Sequence, residues 1–465
     1  MTKIYLIRHA EAEGNLYRIA HGQEEGLITD YRGPRQMQAL ARRFRDIPVD
    51  AVYASDLIRT QTTAQAVYVP KGLPLHLEPA FREVHMGVWE GLTWRQIETR
   101  WPLQMMEFNH QLDRWQVEGC ETAQTVLDRY LPALRRVARE HDGQTVAVFS
   151  HGAAMRIVLG TLQGLPLAEI GQSPHGDNTA VSLIEAQGYD LRVVFRDDNS
   201  HLTAQEGLST FGKQTWWKTK GMVEPGQLYR PASHEQSRLF GAPEGGQGTA
   251  VWYNGQELIG LYQTVREPDA LRITWYAMDP MWRGRRQGIP PMGQIIQQGR
   301  RLGLPYLRLT CTDESLRPFW QRLGFRGDGA ELEKDIRLQI PDLRQCVMEC
   351  SYPKKCTLSK RQKCRLLRVL LLYGWVLRLV RLAEALLQLP QARLHLLEAG
   401  QVRLRQGLLG QGQLLAELAV QLGILGPGLG APGLLLPGQL PQLLDGLGPE
   451  LLRPPVGADL LHLRL

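Results

Sequence analysis

A short apolar segment near the N-terminus ends abruptly in two basic side chains. Residues 4–7 form a continuous, β-prone run that is typical of a strand buried on both faces of a parallel sheet. Arg8 and His9 follow it directly. In an α/β sheet, the side chains at the carboxyl end of such a strand face the crevice where ligands bind. We therefore expect Arg8 and His9 to serve chemistry rather than packing.

The same arrangement recurs later in the chain. Residues 145–149 predict a second buried strand, and it ends in Ser150, His151 and Gly152. Gly152 lets the backbone approach an anion, and the helix predicted for residues 153–162 begins at the same crevice. A single histidine after a strand is more often structural than catalytic, so the interpretation of His151 depends on its companions.

Arg59 is one such companion. It lies in the first turn of a helix predicted for residues 55–67, with Ser55 or Asp56 as its cap. A cation near the positive end of a helix dipole is locally unfavourable. This misfit indicates that Arg59 is held for an anion, with an ordinary surface arginine as the alternative.

Glu83 is the second companion. It stands among apolar and aromatic residues in a loop interrupted by glycines. In such a setting, loss of solvation disfavours the charged carboxylate and keeps a proton available for donation. A solvated surface glutamate is the alternative.

Taken together, these segments resemble the histidine phosphatase superfamily, in its phosphoglycerate mutase-like branch. The matching motifs are Arg-His-Ala after the first strand, Ser-x-x-x-Arg-Thr-x-x-Thr-Ala around Arg59, and Arg-Glu…Gly-x-Trp-Glu-Gly around Glu83. The resemblance implies a three-layer α/β/α domain in which His9 forms a phosphohistidine and Glu83 is the general acid. It also implies a catalytic role for His151, and phosphate binding by Arg8, Asn15, Arg59 and His151, with positive charge from both arginines and His151.

The segment after Glu83 separates two activities within this family. Mutase members tend to carry Tyr-Gly-x-Leu-x-Gly-Leu-Asn-Lys there, and this chain does not. The resemblance therefore favours hydrolysis of a small-molecule phosphate monoester, without a metal or a cofactor in this domain. Phosphoglycerate mutase activity is the less favoured alternative.

A different pattern follows in the second half. Residues 249–253, 257–265 and 271–278 predict an antiparallel meander. A basic loop then precedes an amphipathic helix, a strand at residues 306–310 and a helix at residues 313–323. The apolar face predicted for the amphipathic helix consists of Met292, Ile295, Ile296 and Leu302.

This order, together with Pro-x-x-Arg-Gly from Pro280 and Phe-Trp-x-x-x-Gly-Phe from Phe319, resembles a GNAT-type N-acetyltransferase with a mixed sheet. The resemblance implies that acetyl-CoA is bound by Arg283, Gly284, Arg285, Arg286, Gln287, Gly288, Ile289 and Gly293. Pro290 and Pro291 depart from the family pattern because each removes an N–H donor. Trp320 also stands where relatives carry an acidic tyrosine. Two alternatives stay open: acetyl transfer to an amine, and a non-catalytic binding or scaffolding module.

Composition divides the chain of 465 residues further. We predict a phosphatase domain at residues 1–205, a linker at 206–221, a GNAT-like domain at 222–342 and a low-complexity tail at 343–465. From residue 365 onward the chain lacks Ser, Thr, Asn, Lys, Phe, Cys and Met, so most capping and turn residues are missing. We expect the tail to be disordered or non-native sequence.

The remaining expectations concern partners and location. The formal charge of +7 raises the question of nucleic acid, but no nucleic-acid-binding motif accompanies it. Arginines interrupt the leucine-rich run of the tail, so no membrane span is expected. No signal peptide opens the chain, and the cysteines have no zinc-site spacing. A cytoplasmic protein without nucleic-acid partners is the expectation; its oligomeric state is left open.

Overall fold

The computed structural model describes residues 1–171, 173–203, 207–209, 226–244, 246 and 248–351. All of these belong to one compact unit, residues 1–356. Of the predicted linker only residues 207–209 are described, and of the predicted tail only residues 343–351; the rest of both lies outside the described residues. The proposed domain boundaries stay a prediction.

The first part of the described chain alternates strands with helices. Its strands are β1 (Thr2–Arg8), β2 (Ala51–Ala54), β3 (Leu75–Leu77), β4 (Thr145–Ser150), β5 (Val181–Gln187) and β6 (Asp190–Asp198). Its helices are α1 (Glu13–Tyr17), α2 (Arg32–Phe44), α3 (Ile58–Lys71), α4 (Trp94–Arg100), α5 (Pro102–His110), α6 (Ala123–Glu140), α7 (Gly152–Leu162), α8 (Leu167–Ile170) and α9 (Ser200–Thr203).

Within this part, the described strands form one sheet in the order β3-β2-β4-β1-β5-β6. β1 pairs in parallel with β4, with Ile4 opposite Val146 and Arg8 opposite Ser150. On its other side β1 pairs antiparallel with β5, so the sheet is mixed. The central strands β1 and β4 therefore end side by side at the same edge.

Apolar side chains of β1 project from both faces of this sheet. Ile4 packs in one core with Leu134 of α6 and Val158 of α7, whereas Ile7 packs in a second core with Leu40 of α2. All are fully buried, and each such side chain contributes about 1.5–3 kcal/mol relative to exposure. The prediction of a doubly buried first strand is confirmed.

The start of α3 differs from the prediction. The helix begins at Ile58, and neither Ser55 nor Asp56 caps it. The Glu25 carboxylate accepts a hydrogen bond from the Ile58 N–H at 2.8 Å instead. The Ser55 hydroxyl is hydrogen-bonded to the His151 ring at 2.7 Å, so the side chain that was expected to cap the helix binds this histidine.

The second part forms another mixed sheet, in the order β12-β11-β10-β9-β8-β7 among the described strands. These are β7 (Gln227–Pro231), β8 (Gly248–Tyr253), β9 (Glu257–Arg266), β10 (Ala270–Met278), β11 (Tyr306–Thr310) and β12 (Glu331–Asp335). The helices are α10 (His234–Leu239), α11 (Pro290–Arg301), α12 (Arg317–Arg322) and α13 (Arg344–Ser351). β10 and β11 are parallel, and the predicted meander β8-β9-β10 is confirmed.

Two helix predictions in this part are only partly right. Leu302 lies beyond the end of α11 and is 37% exposed, so it is not on the buried face with Ile295 and Ile296. The helix expected at residues 313–323 is a single 3-10 turn, Glu314–Leu316, followed by α12. Of the helices in the described ranges, none combines the length and apolar character needed to cross a bilayer.

The beginning of the predicted tail is folded. Val347 of α13 is fully buried in the core that α2 and α3 form on the first sheet. The Gln65 side chain accepts from the Leu343 N–H at 2.9 Å and donates to the Pro341 carbonyl at 2.9 Å. The expectation of disorder is therefore wrong for residues 343–351, because their contacts lie far away in sequence.

A chain that ends after Asp342 is expected to melt at a lower temperature than one that ends after Ser351. The shorter chain exposes apolar surface on α2 and α3 and loses the burial of Val347, worth about 1.5–3 kcal/mol. Thermal unfolding followed by circular dichroism measures the difference, and Val347→Asp in the longer chain is the matched test. Equal midpoints for all three proteins would contradict the structural role of α13.

Candidate active site

The pairing of β1 with β4 brings the two predicted histidines together. His9 and His151 follow the paired residues Arg8 and Ser150 at the ends of their strands. Their ring centroids are 5.3 Å apart, and they are 5% and 0% exposed. The geometry predicted from two strand ends is thus present.

The hydrogen bond of the His9 ring determines which nitrogen can react. Nδ1 lies 2.7 Å from the Ala10 carbonyl oxygen, and because a carbonyl only accepts, Nδ1 must donate. Nε2 of the neutral ring therefore carries the lone pair. Burial, and then the charges of Arg59 and Arg8, hold the pKa of His9 well below its ordinary value. His9 is a neutral imidazole near pH 7, as a nucleophile must be.

His151 is held by two polar neighbours. The Arg59 Nε–H donates to Nδ1 at 3.1 Å, so Nε2 carries the proton and donates to the Ser55 hydroxyl at 2.7 Å. Burial, and then the charge of Arg59, hold the pKa of His151 well below its ordinary value. An Nδ1 that accepts a hydrogen bond is unprotonated, so the ring is neutral in this arrangement, and the role of His151 as a source of positive charge stays a prediction.

Arg59 lies in the first turn of α3, as predicted, and is 3% exposed. Its Nη1 donates to the Glu24 carbonyl at 2.9 Å, and its Nη2 donates to the Gly22 carbonyl at 2.7 Å. Arg59 thus joins His151 to the loop before α2. Each terminal nitrogen carries a second N–H, and the side chain lines the pocket, so it can also bind an oxyanion.

Arg8 is 6% exposed and donates from Nη1 to the Gly176 carbonyl at 2.6 Å. Its guanidinium packs against Gly152, where an added Cβ would lie 3.0 Å from Arg8 Nε. Glycine at this position therefore gives room to the arginine. Arg8 also lines the pocket, which places a second cation beside His9.

Glu83 lies at the N-terminus of α7. Its Oε1 accepts from the Ala154 N–H at 2.8 Å, and its Oε2 accepts from the Ala153 N–H at 3.1 Å. The sequence predicted that this helix N-terminus faces an anion, and the carboxylate of Glu83 is the anion that it binds here. Glu83 is half-buried and lines the pocket.

An arginine of α6 supports the loop that carries Glu83, and sequence analysis missed it. Arg129 donates to the Glu83 carbonyl at 2.9 Å and to the Ala80 carbonyl at 2.7 Å. The Glu121 carboxylate in turn accepts from Arg129 at 2.7 and 2.8 Å. The sequence around Arg129 does not indicate this role, because Arg129 resembles any charged residue on the polar face of an amphipathic helix.

Asn15 lines the pocket and is held by Asn178, which sequence analysis missed; phosphate binding by Asn15 stays a prediction. The Asn178 side-chain amide donates to Asn15 Oδ1 at 3.1 Å and to the His9 carbonyl at 3.0 Å. The next residue, Thr179, has a φ of +63° and donates from its N–H to the Arg8 carbonyl at 3.2 Å. A β-branched residue in this region is strained, so the turn next to His9 is held by its surroundings.

The pocket itself has a volume of about 140 Å³. One part of its lining is apolar and comes from α4, α5 and neighbouring loops: Ile19, Met86, Trp94, Met105 and Phe108. Arg18, His21 and Asn109 add polar groups. Burial and the charge of Arg59 lower the pKa of His21 to about 4, so this ring is also neutral near pH 7. The pocket thus combines an apolar side with polar and cationic groups.

The loop predicted to bind a cofactor, residues 283–289, differs in burial along its length. Arg283, Gly284, Arg285 and Arg286 are exposed, and Gln287, Gly288 and Ile289 are half-buried before α11. The Tyr276 hydroxyl donates to the Gly288 carbonyl at 2.5 Å, and an added Cβ at Gly288 would contact Phe319. Pro290 and Pro291 are the first residues of α11, where a missing N–H costs little.

Gly293 does not belong to that loop. It is buried in α11, and a Cβ added there would overlap the side chain of Tyr17 in α1. Its role is the close approach of two helices, which corrects its assignment to a cofactor site. In the described part of the chain, no group of three or more His, Cys, Asp and Glu side chains is arranged to hold a metal ion.

The stability of the protein should depend on pH through His151. Its folded-state pKa is depressed below 6.5, so below about pH 6.5 the unfolded chain binds a proton that the folded protein does not. Stability is therefore lost as the pH falls, by up to about 1.4 kcal/mol per pH unit for one proton. His151→Gln keeps a neutral acceptor and donor and should flatten the decline of the thermal midpoint between about pH 7 and 5.

The exposed His234 provides the matched control, since His234→Gln makes the same chemical change away from the site. Carboxylate protonation is common to all three proteins and cancels in the comparison. Parallel pH profiles for wild type and His151→Gln would mean that His151 is already charged in the folded protein.

Comparisons with known proteins fit this geometry. A family profile described as histidine phosphatase superfamily (branch 1) matches residues 4–199. Phosphoserine phosphatase 1 of Hydrogenobacter thermophilus is 30% identical over 190 residues, which are 40% of this chain and 88% of that protein. A probable phosphoglycerate mutase GpmB of Cronobacter sakazakii is 32% identical over 169 residues, 36% of this chain and 77% of that protein.

Among solved structures, Bacillus stearothermophilus YhfR matches with a TM-score of 0.42 and 27% identity, covering 43% of this chain and 99% of its own. The family profile includes the strands that deliver both histidines as well as Arg59 and Glu83. Because a relative at 30% identity is also covered over 88% of its length, the chain belongs to the histidine phosphatase superfamily (branch 1).

Proposed function

We propose that this protein hydrolyses phosphate monoesters of small molecules, without a metal ion, through a phosphohistidine at His9. The observation that carries the proposal is the His9 ring, whose Nδ1 donates to the Ala10 carbonyl and leaves Nε2 unprotonated. Arg8 and Arg59 line the same pocket as this ring. A neutral nucleophile beside two guanidinium groups suits attack on an anionic phosphorus.

In the first step, the lone pair of His9 Nε2 attacks phosphorus. The N–P bond forms while the bond from phosphorus to the leaving oxygen breaks. Arg8 and Arg59 stabilise the negative charge on the remaining phosphoryl oxygens. Glu83, protonated at this stage, gives its proton to the leaving oxygen, so the organic product departs as an alcohol.

In the second step, Glu83 acts as a base. As a carboxylate it removes a proton from a water molecule, whose oxygen attacks phosphorus in line with the N–P bond. That bond breaks, its electron pair returns to His9 Nε2, and inorganic phosphate is released. The N–H groups of Ala153 and Ala154 donate to the two carboxylate oxygens and fix the position of the Glu83 side chain at the N-terminus of α7.

Hydrolysis is favoured over phosphoryl transfer between hydroxyl groups by the sequence around Glu83. The chain carries Gly-Val-Trp-Glu-Gly after this residue and not the mutase pattern. The similar proteins include both a phosphoserine phosphatase and a probable phosphoglycerate mutase by name. Mutase activity is therefore the second candidate, and formation of inorganic phosphate distinguishes the two.

For the second domain, we favour a non-catalytic module over acetyl transfer from acetyl-CoA. The Gly288 carbonyl is bound by Tyr276, and Phe319 lies beside this glycine. Trp320 is 6% exposed and has no acidic proton to give to a thiolate. Calorimetric titration with acetyl-CoA tests the acetyltransferase alternative, which requires binding at residues 283–289; absence of binding would exclude it.

Glu83→Gln should lower kcat/KM for an alkyl phosphate by about 100-fold or more, and for p-nitrophenyl phosphate by less than about tenfold. A nitrophenolate can leave without being protonated, whereas an alkoxide leaves readily only when an acid protonates it. The ratio kcat/KM reports only events up to transfer onto His9. It is therefore not affected by the role of Glu83 as a base in the second step. Steady-state release of phosphate or nitrophenol measures both values.

Glu118→Gln is the matched control, because its side chain is exposed, and it should change neither value. His9→Ala defines the background without a nucleophile. Equal losses on both substrates in Glu83→Gln would exclude Glu83 as the general acid of the first step.

A further inference from the structure

Part of the pocket wall is a short two-stranded ribbon. Residues 18–20 run antiparallel to residues 91–94, with Ile19 bridged to Thr93. The members of this wall ribbon that line the pocket are Arg18, Ile19 and Trp94. Two separate segments of the first domain therefore have to stay paired for the leaving-group side of the pocket to keep its shape.

The second domain packs behind this wall ribbon. Tyr17 and Ile19 are each 3% exposed and belong to the apolar core of the second sheet. Gly293 of α11 leaves no room for a side chain beside Tyr17. The Gln297 side-chain amide donates to the Gly91 carbonyl at 3.0 Å. One helix of the second domain thus contacts both strands of the ribbon region.

An ion pair joins the same helix to α1. Arg300 donates from Nη1 and Nη2 to the two carboxylate oxygens of Glu13, at 2.8 and 3.0 Å. The side chains are 17% and 7% exposed. Arg300 is anchored in its own domain, because its Nε donates to the Ile336 carbonyl at 2.7 Å. Bidentate geometry between planar groups fixes orientation as well as distance.

The charge of Glu13 depends on this partner. Burial acts to raise the pKa of Glu13, but the charge and hydrogen bonds of Arg300 bring it below its ordinary value, with further help from the charge of Lys334. Glu13 Oε2 also accepts from the Leu27 N–H at 3.1 Å, which ties α1 to the returning loop. Removal of the guanidinium would leave a buried carboxylate without its main partner, which is strongly destabilising locally.

Glu13 lies in the same helical turn as Asn15, which lines the pocket. We propose that the second domain holds the wall of the phosphatase pocket in its substrate-binding conformation, with Arg300 as a positioning residue that acts through Glu13. This inference rests on the proposed function of the first domain. It gives the second domain a role in the phosphatase reaction that needs no chemistry of its own.

The role predicts a specific kinetic effect. His9, Glu83 and His151 lie outside α1 and the wall ribbon, so Arg300→Met should leave the reacting groups in place. It should raise KM for p-nitrophenyl phosphate about tenfold while kcat changes by less than about threefold. The inhibition constant of inorganic phosphate should rise in parallel, because Asn15 moves with Glu13. Arg301→Met, an exposed arginine next in the helix, is the matched control and should behave as wild type.

A double-mutant cycle shows whether the effect passes through Glu13. Glu13→Gln together with Arg300→Met leaves no unpaired buried charge, so its KM should lie well below the product of the two single effects. Arg300→Lys should recover part of the affinity. Thermal unfolding shows whether Arg300→Met folds. If it does not, the KM of the double mutant is compared with that of Glu13→Gln, and the proposal predicts that the two values are similar.

A wild-type KM in Arg300→Met, or single effects that simply multiply in the double mutant, would overturn the proposal. A loss confined to kcat would do so too, since it would place Arg300 in the chemical step. Failure of the wild-type protein to release phosphate contradicts the proposed function instead, so the two failures are distinguishable.

Discussion

The parallel pairing of β1 with β4 is the constraint on which the site depends. Arg8 lies opposite Ser150, so the two strands end level and deliver His9 and His151 with ring centroids 5.3 Å apart. A slip of one residue would turn every side chain of a strand to the other face of the sheet. The apolar residues of β1, including the fully buried Ile4, therefore fix the register of the two histidines as well as the stability of the fold.

Burial then sets the charge state of the site. His9 and His151 are neutral, because desolvation and the nearby charge of Arg59 disfavour their cationic forms. Arg8 and Arg59 are also buried, and Glu83 is the carboxylate whose charge favours both of their cationic forms most. A phosphate dianion entering this pocket adds negative charge where two guanidinium groups are held with little solvent. The same burial and positive charge that keep the His9 ring unprotonated also favour an anion beside it.

Local sequence patterns predicted the parts of the site that local structure determines. A buried strand followed by His9, and a first helical turn that contains Arg59, need only neighbouring residues to be recognised. The N–H donors to Glu83, the contact that requires Gly293, and the burial of Val347 all join segments that are distant in the chain. No single stretch of sequence carries these contacts, so the assignment of Gly293 to a cofactor and the expectation of a disordered start of the tail failed.

The central claim is that His9 receives the phosphoryl group. Glu83→Gln protein mixed with p-nitrophenyl phosphate should accumulate this intermediate, because a good leaving group departs without the acid while hydrolysis lacks its base. After quenching in alkali, which preserves phosphohistidine, mass spectrometry of proteolytic peptides locates the modification. We predict one phosphoryl group on His9, absent from a His9→Ala/Glu83→Gln control. Phosphorylation of another residue, or turnover by the control protein, would contradict the account.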